Sequence, residues 1–261
     1  MCGRFTMVVE DELGGVVRAI ECRAPYVADA DWPARAFDAL PGSVVAVLRL
    51  ADAPDDASAG SAIGAAASLS SSKAVSVRGS AREGIMHGVA ASSLAIVPLI
   101  WGFDLPGRGK TVFNTRSETA ARSDFWRESF LRRRCVVPAH AFFEPHRSER
   151  ALRPNRGAAM GVGSKTMRQT YRFSDADGGI LLLAGVWAAD RFSILTTQPN
   201  DAVAPVHDRM PLMLGFEEAL DWLRGAVMGR ADAHATERPG SMLCSHPLYT
   251  SVSEPVQQRL F

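Results

Sequence analysis

The residues best suited to chemistry open the chain. In Met1-Cys2-Gly3-Arg4-Phe5 a cysteine directly follows the initiator methionine. Removal of Met1, expected when the next residue is small, would leave Cys2 with a free α-amine and a thiol two carbons apart. The reference pKa values are about 8 for the amine and about 8.5 for the thiol, so each is partly nucleophilic near neutral pH. The amine would add to an aldehyde to give an imine, and the thiol would then close a five-membered thiazolidine ring. The same pair also suits an amidohydrolase, with the thiolate attacking and the amine as its base. A third reading is that Cys2 is only a frayed terminal residue.

Three further clusters carry candidate groups. Cys135-Val-Val-Pro-Ala-His-Ala-Phe-Phe-Glu144 reads as an apolar strand ending on a carboxylate. Glu144 is then either solvated at an edge or desolvated behind two aromatics, with a raised pKa that suits general acid/base work. Val206-His207-Asp208-Arg209-Met210-Pro211 lies between apolar runs; a lone histidine is usually structural, but His, Asp and Arg in a row before a proline point to a functional loop. Asn114-Thr-Arg-Ser-Glu-Thr119 is a polar cluster after a Gly/Lys turn. Arg132-Arg133-Arg134 fits a helix C-terminus equally well as carbonyl caps or as phosphate contacts.

The elements that must position these groups follow from composition and pattern. At 261 residues, 47% apolar and 22% charged, the chain is ordinary globular protein, expected as one domain over residues 1–261. A net charge of +1 gives no global case for nucleic-acid binding, although a local basic face suffices. Cys2, Cys22, Cys135 and Cys244 have no CxxC spacing, and no HExxH, Walker or dinucleotide pattern occurs, so neither metal nor cofactor is expected. With no secretory signal and no apolar run near the ~18 residues a span needs, a cytoplasmic monomer without membrane contact is expected. A strand and short helix are expected over Thr6 to Ile20, and strands over Ser43–Leu50, Leu94–Phe103, Ile180–Trp187 and Phe192–Thr197. Helices are expected over Ser123–Arg134 and Glu217–Met228, and an exposed hairpin or loop over Arg147–Arg172. Ala51 to Ser93 is Ala/Ser/Gly-rich and reads as a flexible surface insertion.

Five strings in order, Met1–Phe5, Trp101-Gly102-Phe103, Asn114–Thr119, Val137-Pro138 through Phe143-Glu144, and His207–Pro211, resemble the SOS response-associated peptidase (SRAP) family, and Ser245-His246-Pro247 resembles its closing motif. The resemblance implies an α+β fold around a curved, barrel-like antiparallel sheet with flanking helices, and a basic channel for single-stranded DNA. It implies covalent capture of the aldehyde of an abasic site, with Cys2 as nucleophile, Asn114 positioning its amine, Glu144 shuttling protons and His207 acting on the sugar hydroxyl. Gly3, Arg4, Pro41, Arg116, Thr196 and Arg209 would line the DNA path, and Trp101 would stack on a base. Pro145 stands where the family has tryptophan, and Asp38 where it has asparagine, a negative charge expected to weaken DNA binding. Two other functions use the same residues: a cysteine peptidase or amidase on peptides, and a non-catalytic single-strand binder. A peptidase has no need of Arg4, Arg116 and Arg209 along one channel. DNA engagement would associate the protein with the nucleoid.

Overall fold

The strands Leu181–Ala188 and Arg191–Thr197 are buried on both faces, and the fold is the arrangement that covers both. The computed structural model describes residues 2–23, 37–51, 94–105, 109, 111–153, 165–225 and 243–248. In order they form β1 (Phe5–Met7), α1 (Glu10–Glu21), β2 (Asp38–Ala39), β3 (Val44–Leu50), β4 (Leu94–Trp101), β5 (Phe103–Asp104), β6 (Thr111–Val112) and β7 (Asn114–Arg116). Then come α2 (Ser117–Ala120), α3 (Arg127–Arg132), β8 (Arg134–Arg153), β9 (Lys165–Asp175), β10 (Leu181–Ala188) and β11 (Arg191–Thr197). β12 (Met210–Pro211), β13 (Met213–Leu214), α4 (Phe216–Arg224) and β14 (Leu243–Pro247) complete the chain.

One sheet runs β13-β10-β11-β4-β3-β8-β1-β2, with β9 on β8 and β14 on β9. It curls back on itself, because β8 also pairs with β10 from Leu181↔Ala139 to Val186↔Arg134. Two junctions are narrow: β3 meets β8 only at Leu48↔Val136, and β4 meets β11 only at Ile100↔Arg191 and Trp101↔Phe192. The sheet is therefore strongly curved and barrel-like, without being a continuously bonded barrel. Most pairings are antiparallel, but β11 runs parallel to both β4 and β7.

Side-chain alternation sorts the strands into two cores. Leu181 and Leu183 of β10 point inward with Val45, Val47, Val137, Ile194, Phe5 and Trp101. Leu182, Ala184 and Val186 point outward with Leu48, Val136 and Leu195, where α1 and α4 cover them with Val16, Ile20, Leu220 and Trp222. A bidentate Arg23–Asp221 pair joins the end of α1 to α4. No helix among the described residues is long and apolar enough to cross a membrane.

Three expectations are corrected. The helix over 123–134 shrinks to α3, because Ser123 caps a turn, its Oγ accepting the Trp126 N–H at 3.3 Å. Arg134 opens β8, and its Nε donates to the Phe130 carbonyl at 2.7 Å, so of the two readings left open for the arginine run Arg134 takes the carbonyl cap, while Arg132 and Arg133 face Glu128. β8 does not stop at Glu144 but continues to Arg153, paired with β9, so 147–172 is mostly a long hairpin. α4 ends at Arg224, where Gly225 takes a left-handed φ of 80°. Residues 52–93, 154–164 and 226–242 lie outside the described residues; the first joins the antiparallel neighbours β3 and β4, whose ends meet at Leu50↔Leu94.

Gly102 is held in a conformation that side chains resist. Its φ is +109°, and a Cβ would sit 2.5 Å from Thr111 Cγ2, while its N–H and carbonyl are fixed by Phe192 and Arg191. Gly102→Ala is expected to lower the unfolding free energy by about 1–3 kcal/mol, read as a lower urea midpoint.

Candidate active site

β1 carries Cys2 into the interior. Phe5 pairs with Phe142 of β8 and Ala39 of β2, and the Phe143 N–H donates to the Arg4 carbonyl at 3.0 Å. Phe5 is buried against Trp101, ring centroids 4.8 Å apart, and Cys2, three residues earlier, has no exposed surface. The thiol lies 3.5 Å from the Arg4 carbonyl. Burial first, and then the Glu144 carboxyl, raise the thiol pKa well above its ordinary value, so Cys2 is a neutral thiol near pH 7.

Three more groups converge on it. β7 lies beside β11, Asn114 opposite Ile194, and Asn114 Nδ2 donates to the Cys2 carbonyl at 2.8 Å. Its Oδ1 is buried without a hydrogen-bond partner. Glu144 is fully buried in β8; burial pushes its carboxyl up to about 7, against the opposing pull of the positive amino terminus. His207 Nε2 lies 3.8 Å from Glu144 Oε2. Burial lowers the His207 pKa although Asp208 Oδ1 stands 3.1 Å from Nδ1. The Arg209 backbone holds Nδ1, which lies 3.0 Å from its N–H and 3.1 Å from its carbonyl, and this leaves Nε2 facing Glu144.

The His207 loop is pinned from two sides. The Arg147 N–H donates to the Val206 carbonyl at 3.1 Å, and its guanidinium to the Ala204 carbonyl at 2.6 Å. Arg209 is bidentate to Glu118 at 2.6 and 2.8 Å and reaches the Thr196 carbonyl at 2.6 Å. The Arg209 hydrogen bonds hold the Glu118 carboxyl below its ordinary range. A carboxyl titrating near neutrality, a neutral imidazole and a neutral thiol in one desolvated cluster are suited to moving protons within it.

The expected DNA-path residues are placed less uniformly. Arg4 is half-buried with its guanidinium 3.9 Å over the Phe143 ring. It stands 3.7 Å from Asp38, which also accepts from Thr6 at 2.8 Å. Arg116 is exposed at the start of α2, Gly3 is half-buried, and Pro41 occupies a turn completed by Gly42 at φ +95°. Trp101 has no exposed surface: its Nε1 donates to the Phe113 carbonyl at 2.9 Å, and Phe5, Phe113 and Phe192 enclose its ring. No face is left for a base, which corrects the stacking role. Thr196 is buried and Arg209 already engaged by Glu118, so in this conformation neither offers a phosphate contact. Reading the sequence missed Glu118, Arg147 and Phe143. Only the position of Glu118 inside the Asn114–Thr119 cluster signalled it, and its partner lies 91 residues away.

Among the described residues no group of three or more His, Cys, Asp or Glu could hold a metal ion.

The Glu144 carboxyl gives a pH signature. Its folded pKa of about 7 exceeds the ordinary 4.5, so between those values the folded state keeps a proton that the unfolded state has lost. The contribution of Glu144 to stability is therefore full below about pH 4.5 and falls as pH rises through 7. Glu144→Gln is expected to flatten this decline and to be more stable than wild type at pH 8, by on the order of 1–3 kcal/mol in urea titrations.

The sequence profile described as SOS response associated peptidase (SRAP) matches residues 1–255. Among curated proteins, the Escherichia coli abasic site processing protein YedK is 23% identical over 99% of this chain and 96% of its own length. The Bacillus subtilis abasic site processing proteins YoaM and YoqW are each 27% identical over 44% of this chain. The chain spans about half the length of these two relatives, 48% and 49%. Two Bordetella bronchiseptica crystal structures share the fold. One, a phage-related protein, has a TM-score of 0.54, 22% identity and coverage of 95% of this chain and 94% of its own. The other has a TM-score of 0.56, 20% identity and coverage of 95% and 100%. With its profile matching nearly from end to end, the chain belongs to the SOS response associated peptidase (SRAP) family.

Proposed function

We propose that this protein processes abasic sites in single-stranded DNA by capturing their aldehyde on Cys2 as a thiazolidine, after Met1 has been removed. The observation that carries this reading is the convergence of Cys2, Asn114, Glu144 and His207 in one desolvated cluster. It is supported by family membership and by relatives named abasic site processing proteins.

Each step balances within the cluster. The Cys2 amine adds to the C1′ carbonyl of the ring-opened sugar, forming a C–N bond, and loss of one water gives the imine. The thiol then adds across the C=N bond; a C–S bond forms, and the thiol proton ends on the ring nitrogen. Asn114 holds the Cys2 carbonyl and presents its unpartnered Oδ1 as an acceptor for the amine. Glu144, titrating near 7, donates a proton to the departing hydroxyl and takes one from the thiol. His207, with Nε2 toward Glu144, exchanges protons with it and serves the sugar hydroxyl in ring opening and in crosslink reversal. The raised thiol pKa counts against a peptidase, which needs a thiolate ready at neutral pH; here sulfur acts second, on an electrophile the amine has made.

A denaturing gel with intact mass tests the reading, using a single-stranded oligonucleotide bearing one abasic site. A shifted band is expected for wild type, and none for Cys2→Ala or a lesion-free strand; a band surviving Cys2→Ala, or none from wild type lacking Met1, would overturn it. Glu144→Gln and His207→Ala are expected to slow capture about 10²- to 10⁴-fold in single-turnover time courses. Asp38→Asn, which frees Arg4 from its carboxylate while keeping an acceptor for Thr6, is expected to tighten single-strand binding about 2- to 5-fold by fluorescence anisotropy.

A further inference from the structure

The β8–β9 hairpin carries an arrangement that is unfavourable in the free protein. Arg150 and Arg168 stand directly opposite each other in the antiparallel register, both exposed, and neither has an ion pair with a described residue. Like charges directly opposite one another destabilise a strand pair. Such pairs make sense where an anion lies over the sheet.

Alternation tells which face Arg150 and Arg168 share. Gln169 and Phe173 of β9 are buried, and Tyr171, opposite Glu144, packs against the inner core. Arg168 and Arg172 therefore belong to the outer face, away from Glu144. Arg172 is registered between Phe143 of β8 and His246 of β14, and Arg4 lies over Phe143. A basic band thus runs from Arg4 through Arg172 and His246 to Arg168 and Arg150. At a strand rise of ~3.3 Å per residue, Arg168 lies ~13 Å along β9 from Arg172. Among the carboxylates near this band, Glu149 accepts from the Tyr171 hydroxyl at 2.6 Å and Glu12 pairs with His140 at 2.9 Å, while Asp38 lies 3.7 Å from Arg4 at the band's end.

We propose that this outer face of the β8–β9–β14 arm binds the phosphate backbone of DNA flanking the lesion, as a sequence-independent track continuing from Arg4. The proposal rests on the DNA reading above, but its test does not use the Cys2 chemistry. Arg150→Gln/Arg168→Gln would be compared with wild type by anisotropy, with lesion-free single strands of 6 and 30 nucleotides across a salt series. On the 30-mer the variant is expected to bind about tenfold more weakly at low salt. Its log Kd against log salt is expected to flatten by roughly 1.4, two phosphate contacts at about 0.7 each. Binding of the 6-mer is expected to stay unchanged, as is the crosslinking rate at saturating short abasic strand, and the urea midpoint should not fall. Arg150→Lys/Arg168→Lys is expected to keep the wild-type slope. An unchanged slope on the 30-mer, or an equal loss on both lengths, would overturn the proposal. Should wild type fail to crosslink at all, the salt slopes still decide this face independently.

Discussion

The register of β1 on β8 is the constraint from which the site follows. Phe5 pairs with Phe142, and the Phe143 N–H closes on the Arg4 carbonyl. Because side chains alternate, a slip of one residue would turn Phe5 out of the inner core and carry Cys2 with it. Burial of Phe5 against Trp101 and Phe173 therefore does more than stabilise the sheet. It fixes where the first residues lie, against Glu144 and within reach of the Asn114 amide. The bulge between Thr6 and Met7 lets the strand turn away afterwards into α1.

Electrostatics divide the interior from its rim. Inside, burial makes charge expensive, and the Cys2, Glu144 and His207 shifts all point toward neutral forms near pH 7. At the rim, cations are compensated by nearby acids: Arg209 by Glu118 and Arg4 by Asp38. The Arg209 pair holds the backbone that feeds the His207 ring its hydrogen bond, so this arginine positions a proton carrier. Deeper arginines serve packing. Arg134 lies over Phe130 and Trp222, and burial brings its pKa down to about 10.

Much of the fold could be read from pattern. β3, β4, β10 and β11 all follow runs of Val, Ile and Leu closely, and β10 and β11 do so because strands buried on both faces are nearly continuous apolar stretches. The curved sheet with flanking helices came from the resemblance of five strings in order. Boundaries failed where a local hydrogen bond competed with periodicity, as at Ser123, or where a polar strand gained its partner from afar, as in β8 beyond Glu144.

Cys2, Glu144 and His207 were legible as residue types because few side chains attack electrophiles or carry protons near neutrality, whereas the role of Asn114 came from the resemblance. The residue identities alone put two chemistries within reach, capture of an electrophile by an aminothiol and attack of a thiolate on an amide. Tertiary structure decided which arginines and aromatics remain available. Trp101 spends both ring faces on the core, Arg209 gives its fork to Glu118, and Arg150 meets Arg168 across a hairpin. Burial and pairing depend on residues 12 to 91 positions apart, and so were set by the sheet and not by any local string.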